Sequence, residues 1–329
     1  MLAKISKHKY FIFTLVLVVS LAFFRFQNGD IQQDNYVGYA EALPFSIDKI
    51  SYYDSRLLPG LPILIYAFGY LTDNFYTAGY LITFLSFAGS YLLLYKLTKS
   101  KLSFLPLVSP PALLNLSSLI DTEFPFIFLS LLAYYLIKNR RWNLAFLVIG
   151  ISVWFRLAGI AILAGVFGYL LIKKDLHKFF INLPYFLIPL VLLLSYNFYF
   201  FGAKNPFYQL FTYEALHPQR ISFGLLQLIR DLTRALDWGW YKIFISGAFY
   251  MVFYAWMYIK AFDFKKIEFW IITGLYFFTL SINLVPFLEN LGRYLAPAVP
   301  FFWLIHHNKV KKGWVPALLL VSSFLIVII

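Results

Sequence analysis

The chain has 329 residues, of which 61% are hydrophobic and 22% aromatic, whereas only 13% are charged. A soluble protein is about half apolar, so this composition excludes a soluble globular domain and indicates an integral membrane protein. The net charge of +13 would fit nucleic-acid binding only if the basic residues formed a patch or stripe on one face. The chain has no cysteine, which excludes disulfides and thiolate chemistry.

Most basic residues lie in six short clusters, each at one end of an apolar run. This distribution is the positive-inside pattern of polytopic membrane proteins, and it predicts that the clustered ends face the cytoplasm. We therefore predict a multi-pass protein of the cell membrane with a cytoplasmic N-terminus, surrounded by membrane lipids and without a nucleic-acid partner. The clusters are Lys4, Lys7 and Lys9; Lys96, Lys99 and Lys101; Lys138, Arg140 and Arg141; Lys173, Lys174 and Lys178; Lys260, Lys265 and Lys266; and Lys309, Lys311 and Lys312.

In chain order, the apolar runs predict an all-α, polytopic transmembrane helix bundle of about 11 spans, because only helices or closed barrels satisfy the backbone in lipid and the runs do not alternate. We expect one membrane-embedded domain over residues 1–329, with a first outer loop at 27–60 and a long outer loop at 202–237. The predicted single crossings are 10–26, 77–97, 102–120, 124–137, 179–201, 238–260, 267–287, 294–306 and 314–329.

Three further stretches are predicted to be shorter or interfacial elements. Residues 142–172 connect two inward-facing clusters and are too long for one crossing, so we predict two short crossings or a re-entrant pair, with Arg156 at the outer turn. Residues 57–70 are too short to span, which indicates an interfacial or re-entrant helix. Residues 221–236 have the amphipathic pattern of a helix in the outer interface. The late outer turn is predicted at residues 289–293.

The first outer loop is the most acidic part of the chain. It holds five of the 15 acidic residues, while Arg56, Arg156 and Arg293 also map to the outer side, against the positive-inside trend. Charge near a bilayer is costly and usually functional, and arginine grips phosphate at two points. We therefore predict a site for an anionic lipid-linked substrate, with a carboxylate as general base. The five acidic residues are Asp30, Asp34, Glu41, Asp48 and Asp54.

The same residues have structural explanations. Outer-loop carboxylates are commonly only solvated, and Arg156 and Arg293 could pair with Asp121, Glu123 or Glu289. The loop tyrosines fit interface anchors as well as sugar-stacking residues. The sequence has no His, Asp and Glu set with metal spacing and no nucleotide-binding loop. No metal site is predicted and no cofactor is certain, although a divalent cation stays an open option.

Several motifs occur in a characteristic order. DNYVGYAEAL begins at Asp34 and SRLLPGLPIL at Ser55, Thr122-Glu123 precedes an Arg-x-x-Gly at Arg156, and GRYLAPAVPFF begins at Gly292. Residues 204–220, KNPFYQLFTYEALHPQR, are similar to an Asn/Asp-Pro-Phe outer loop. Together these motifs resemble the C-type (GT-C) superfamily of integral membrane glycosyltransferases. The nearest group is the polyprenyl- or dolichyl-phosphate-mannose-dependent mannosyltransferases, including bacterial members.

The resemblance implies transfer of a mannose-like monosaccharide from a polyprenyl-phosphate donor to a hydroxyl of a glycan, lipid or protein acceptor on the outer face. Asp34 matches the acidic residue that serves as base, with Asp30 in reserve. Arg293 matches the arginine that meets the donor phosphate, and Arg156 or Arg56 would assist it. The supporting residues would be Tyr36, Tyr39, Glu123 and Tyr294.

Two departures limit the resemblance. The first loop has Asp-Asn where many members have paired acidic residues, which puts a metal-dependent mechanism in doubt. A large soluble C-terminal domain is missing, which argues against an oligosaccharyltransferase. The alternative is a transporter or flippase of lipids or small molecules, which would also use intramembrane arginines and broken helices. It expects pseudo-repeats, which the sequence does not show, and charge near the midplane rather than at outer turns.

Overall fold

A computed structural model of the protein describes residues 9–32, 34–43, 54–202, 208, 209, 212, 233, 241–281 and 287–309. Within these ranges the chain is helical, with one isolated parallel bridge between Gln32 and Ile120. The helices are α1 (Lys9–Gln27), α2 (Tyr36–Ala42), α3 (Gly60–Thr72), α4 (Phe75–Thr98), α5 (Leu105–Val108), α6 (Pro111–Leu116), α7 (Glu123–Lys138), α8 (Trp142–Val153), α9 (Gly159–Ile172), α10 (Leu176–Phe201), α11 (Tyr241–Ala261), α12 (Ile267–Ser281), α13 (Phe287–Leu295) and α14 (Val299–His306). Short 3₁₀ turns lie at Asp54–Arg56, Ala296–Ala298 and His307–Lys309.

Three described helices, α1, α4 and α10, are long and apolar enough to cross a membrane. Four shorter apolar helices, α3, α8, α9 and α12, accompany them. Large apolar side chains point outward, and Phe13, Leu71 and Val252 are 68%, 78% and 71% exposed. Surfaces of this kind face lipid rather than water, so the predicted all-α transmembrane bundle is confirmed. The total of about 11 spans stays a prediction.

Residues 142–172 form two helices, α8 and α9, which is the arrangement that either two short crossings or a re-entrant pair predicts. The turn between them carries Arg156, whose backbone N–H donates to the Ser152 carbonyl oxygen at 3.0 Å. Farther along α9, the helix packs closely on α12, where a Cβ at Gly274 would lie 3.1 Å from the Gly165 nitrogen. Small residues at such crossings let helix backbones approach in a membrane. The α8–α9 turn is therefore held between its two helices and α12.

Three sequence predictions are wrong in their local structure. The predicted crossing at 294–306 is divided by the 3₁₀ turn Ala296–Ala298, which separates α13 from the short helix α14. Residues 102–120 do not form one crossing but the short helices α5 and α6, separated at Pro110 and Pro111. A proline lacks a backbone N–H and clashes with the preceding turn, so consecutive prolines end one helix and begin the next. The predicted outer turn at 289–293 is instead part of helix α13, which buries Leu291 and Leu295. Apart from residue 233, the predicted helices at 221–236 and 314–329 lie outside the described residues.

Buried tyrosines fix the position of α13. The hydroxyl of Tyr254 in α11 donates to the Gly292 carbonyl oxygen at 2.9 Å, and Tyr276 in α12 donates to the Tyr254 carbonyl oxygen at 2.8 Å. Tyr254 is 1% exposed. Because the first bond is made to the residue directly before Arg293, it sets where that arginine leaves the helix.

Candidate active site

The first loop is fastened to the segment that precedes α7. The backbone N–H of Ile120 donates to the Ile31 carbonyl oxygen at 3.0 Å, and the Val37 N–H donates to the Gln32 side chain at 3.1 Å. Asn35 caps α2 by accepting the Gly38 N–H at 3.2 Å. These bonds turn the chain at residues 31–38, so that Asp34 lies near the start of α7.

Asp34 forms an ion pair with the predicted phosphate-binding residue Arg56. Its Oδ1 accepts a hydrogen bond from Arg56 Nη2 at 2.7 Å, and the two side chains are 21% and 10% exposed. The Tyr36 hydroxyl lies 3.5 Å from Asp34 Oδ2. Burial raises the pKa of Tyr36, with the Asp34 charge adding to the effect. The tyrosine is therefore protonated and donates toward the carboxylate.

Arg156 and Arg293 share a second carboxylate. Glu123 is the first residue of α7 and fully buried, and its Oε1 accepts hydrogen bonds from Arg156 Nη1 and Arg293 Nε. Arg293 Nη2 lies 3.5 Å from both oxygens of Asp121, which is also fully buried. Asp121 Oδ1 also accepts the Glu123 backbone N–H at 3.2 Å. The expected ion-pair role of these arginines is therefore confirmed for Glu123 and Asp121, whereas the Glu289 side chain lies outside the described part.

The three arginines line one cavity of about 180 Å³. Arg56 enters it from the turn before α3, Arg156 from the turn between α8 and α9, and Arg293 from α13. The guanidinium carbon of Arg156 lies 5.8 Å from the ring centre of Tyr294, within the range of a cation–π contact. The other lining residues are Tyr36, Leu57, Leu58, Thr122, Phe155, Leu157, Ala158, Gln209, Phe278 and Thr279.

Some predicted residues lie outside this cavity. Asp30 has a 60% exposed side chain 3.5 Å from Arg25, because it lies just beyond the C-terminal end of α1. Tyr39 is buried, and its hydroxyl shares a hydrogen bond with Tyr196 of α10 at 2.9 Å. Glu41 is exposed. Asp48 and the side chain of Asp54 lie outside the described part of the chain.

Gln209 is the cavity residue that sequence reasoning did not single out. It lies in the segment similar to the Asn/Asp-Pro-Phe outer loop, as a lone amide among Tyr208, Leu210 and Phe211. A polar residue at this point of an apolar segment was a usable signal. Thr279, in the last turn of α12, had no signal that would separate it from other polar residues of apolar helices.

The charges around the cavity form a balanced set. Asp34, Asp121 and Glu123 face three guanidinium groups, and the two fully buried carboxylates lie behind Arg156 and Arg293. Buried charges are tolerated when they are paired and hydrogen-bonded. The arginines are thus held at fixed positions while part of each lines the cavity. Within the described ranges, no three His, Asp or Glu side chains group as a metal site would require.

The fold and site together define a polytopic membrane protein with an arginine-lined cavity. No protein-family profile and no curated protein sequence matches the chain. The fold is similar to the crystal structure of ArnT from Cupriavidus metallidurans bound to undecaprenyl phosphate, with a TM-score of 0.57 and 13% sequence identity. The match covers 96% of this chain and 63% of the ArnT chain, so the chain spans less than two thirds of that structure. At 13% identity the similarity shows the fold alone. That fold agrees with the helix bundle implied by the resemblance to C-type glycosyltransferases.

Proposed function

We propose that the protein is an inverting glycosyltransferase that moves a monosaccharide from a polyprenyl phosphate to an acceptor hydroxyl. One observation carries the proposal. Three arginines from distant parts of the chain line one cavity, namely Arg56, Arg156 and Arg293. Asp34 accepts a hydrogen bond from Arg56. Phosphate is the anion that clustered arginines bind best. The fold likeness to a structure that contains undecaprenyl phosphate supports a lipid-linked donor.

The arginines would act mainly on the leaving group. A sugar phosphodiester carries one negative charge, and the departing polyprenyl phosphate gains a second as the bond to the anomeric carbon breaks. Donors held in advance where charge develops stabilise the transition state without reorganisation. Glu123 and Asp121 keep Arg156 and Arg293 in such fixed positions.

Asp34 would act as the general base. The acceptor oxygen forms the new bond to the anomeric carbon, its proton passes to Asp34, and the electron pair of the broken bond leaves with the phosphate. In the structure Asp34 Oδ1 is engaged by Arg56. A donor phosphate would compete for that guanidinium and release the carboxylate oxygen. Donor binding would then precede activation of the base.

Further features of the function are proposed from the sequence. The motif order supports a mannose-like sugar, and the positive-inside pattern supports an active site on the outer face and a cytoplasmic N-terminus. The acceptor would be the hydroxyl of a glycan, lipid or protein. A divalent cation would have to bind together with the donor phosphate, because Asp121 and Glu123 are already engaged by arginine.

The test is sugar transfer in membranes. Vesicles from cells that produce the full chain would receive polyprenyl phosphates labelled on different sugars, with and without a chelator. Movement of label from the lipid phosphate to another membrane component is expected for one donor. Vesicles from cells that do not produce the chain provide the matched background.

The proposal is overturned if no donor of the panel loses its sugar above that background and the purified protein does not bind undecaprenyl phosphate. Binding without transfer, combined with movement of the intact lipid between leaflets, would instead support the flippase alternative. The chelator arm decides whether a divalent cation takes part.

A further inference from the structure

Gln209 is a buried polar side chain in the wall of the arginine cavity. It is 2% exposed and lines the same space as Arg56, Arg156 and Arg293. The ion pairs described above do not involve it, and an amide cannot neutralise a phosphate charge. A buried amide in a cavity wall is costly unless it is hydrogen-bonded, so its presence needs a reason other than charge.

A reciprocal amide pair fixes the orientation of Gln209. Its Nε2 donates to Asn197 Oδ1 at 2.7 Å, and Asn197 Nδ2 donates back to Gln209 Oε1 at 3.2 Å. Asn197 belongs to α10 and is fully buried. A primary amide has two hydrogens and two oxygen lone pairs, and the pair uses one of each. Gln209 therefore keeps one donor and one acceptor position.

The residue next to Gln209 is anchored as well. Tyr208 stacks on Phe201 at the end of α10, with ring centres 4.8 Å apart, and its hydroxyl lies 3.5 Å from the Ser55 hydroxyl. Ser55 directly precedes Arg56. The backbone on both sides of the cavity is thereby connected, which keeps the distance between Gln209 and the phosphate-binding arginines fixed. Such fixed distances are what a group needs in order to read one hydroxyl of a ligand.

We propose that Gln209 is a specificity-determining residue that hydrogen-bonds a hydroxyl of the donor sugar, with Asn197 as its positioning residue. The arginines would bind the phosphate, which every donor shares, whereas Gln209 would distinguish the sugar-bearing lipid from the bare lipid phosphate. A site built to hydrogen-bond a substrate hydroxyl discriminates strongly against a ligand that lacks it. Because this role rests on the proposed function, its test must not depend on turnover.

The test compares two ligands in the absence of acceptor. Binding of undecaprenyl-phosphate mannose and of undecaprenyl phosphate is measured by native mass spectrometry on the full chain in nanodiscs, for the wild type and Gln209→Leu. The sugar preference is the ratio of the two affinities, and we expect Gln209→Leu to lower this ratio about tenfold relative to the wild type, the size of one good hydrogen bond. The extra charge of the bare lipid phosphate acts equally in both proteins. Gln209→Leu should bind the bare lipid phosphate as before. Gln27→Leu, the same change at the exposed end of α1, should keep the wild-type ratio.

A double variant guards against misfolding. Gln209→Leu removes the two hydrogen bonds between Asn197 and Gln209 by deleting their Gln209 atoms, but it keeps the Asn197 amide. Asn197→Leu with Gln209→Leu removes both amides, which is often nearly neutral for stability. The double variant should show the same lowered ratio and a melting temperature close to that of the wild type. A wild-type ratio of the two affinities in either folded variant would overturn the role of Gln209. A lowered ratio in a protein that never transfers sugar would support the role of Gln209 while overturning the transferase.

Discussion

At the scale of single residues, Asp34 combines two roles, since it is the proposed base and the ion-pair partner of Arg56. Asp34→Asn keeps the shape and an oxygen that can accept from Arg56, but it cannot take a proton. We expect kcat to fall by about 10²–10⁴-fold, the usual contribution of a general base, with little change in stability. Donor turnover in membranes measures the change in kcat, and thermal unfolding in detergent measures the change in stability.

Asp30→Asn separates the two acidic candidates. Asp30 is exposed and beside Arg25 rather than in the cavity, so this variant should transfer sugar at close to the wild-type rate. If Asp34→Asn retains wild-type turnover while Asp30→Asn loses it, the roles assigned from the motif order are exchanged.

Arg293 and Arg156 bind the same carboxylate but should differ in their effect on stability. Arg293→Met leaves Asp121 and Glu123 with less compensation in a fully buried position, whereas Arg156→Met leaves Glu123 bonded to Arg293. We expect Arg293→Met to lower the free energy of unfolding by about 3–5 kcal/mol, as for a broken buried ion pair. Arg156→Met should lower it by about 1.5–3 kcal/mol. Thermal or denaturant unfolding of the purified variants measures both.

A rescue experiment tests whether uncompensated buried carboxylates cause the loss of stability expected for Arg293→Met. Adding Asp121→Asn to Arg293→Met removes one stranded charge and should restore part of the lost stability, while lipid-phosphate binding stays weak. Equal stability of the two arginine variants, or no rescue, would contradict the assigned pairing.

At the scale of elements, the start of α3 and the α8–α9 turn are in backbone contact. The Gly60 N–H donates to the Trp154 carbonyl oxygen at 2.9 Å, and a Cβ at this position would lie 2.7 Å from that oxygen. Arg56 lies just before Gly60 and Arg156 just after Trp154, so this contact sets the spacing of two arginines. Gly60→Ala should cost about 1–3 kcal/mol through overpacking and weaken undecaprenyl phosphate binding.

The control for that substitution is Gly89→Ala in α4. The three atoms nearest to its new methyl group would belong to the Phe128 ring, the first at 2.6 Å, and a side chain can move where a backbone carbonyl cannot. Binding of undecaprenyl phosphate by both variants gives the comparison. If both lose it equally, the Gly60 contact has no special role.

Sequence reasoning was reliable for long apolar helices and weaker where prolines or short helices interrupt them. Length and basic flanks located α1, α4 and α10 because a membrane span imposes both. The break at Pro110 and Pro111 was missed although the two prolines signal it locally, whereas the short helix α13 depends on packing. The three arginines could be grouped because motif order constrains them. Gln209 carried a signal as a polar residue in an apolar segment, but its role depends on its pairing with Asn197 of α10.

At the scale of the whole molecule, the arrangement of charge separates two ends of the bundle. The ion-paired Asp34 and Glu123 lie beside the cavity that Arg293 lines. Glu268 instead pairs with Lys138 and Tyr134, where α7 ends and α12 begins, next to two of the basic clusters. The turn after α1 lies at the end of the bundle that holds the cavity, and the turn after α7 lies at the end that holds the basic clusters. The positive-inside pattern predicts that the cavity lies on the outer face and the basic clusters in the cytoplasm.

This orientation can be tested with single cysteines, since the chain has none of its own. Asn28 and Asn139 are both exposed and both donate from Nδ2 to the carbonyl oxygen four residues earlier, at 3.0 and 2.7 Å. Their replacements should therefore be tolerated equally. In intact cells, a membrane-impermeant maleimide should label Asn28→Cys and leave Asn139→Cys unlabelled, because the first follows α1 on the outer side. Permeabilised cells should label both. The reverse pattern would place the arginine cavity on the cytoplasmic face, where an outer-face acceptor could not reach it.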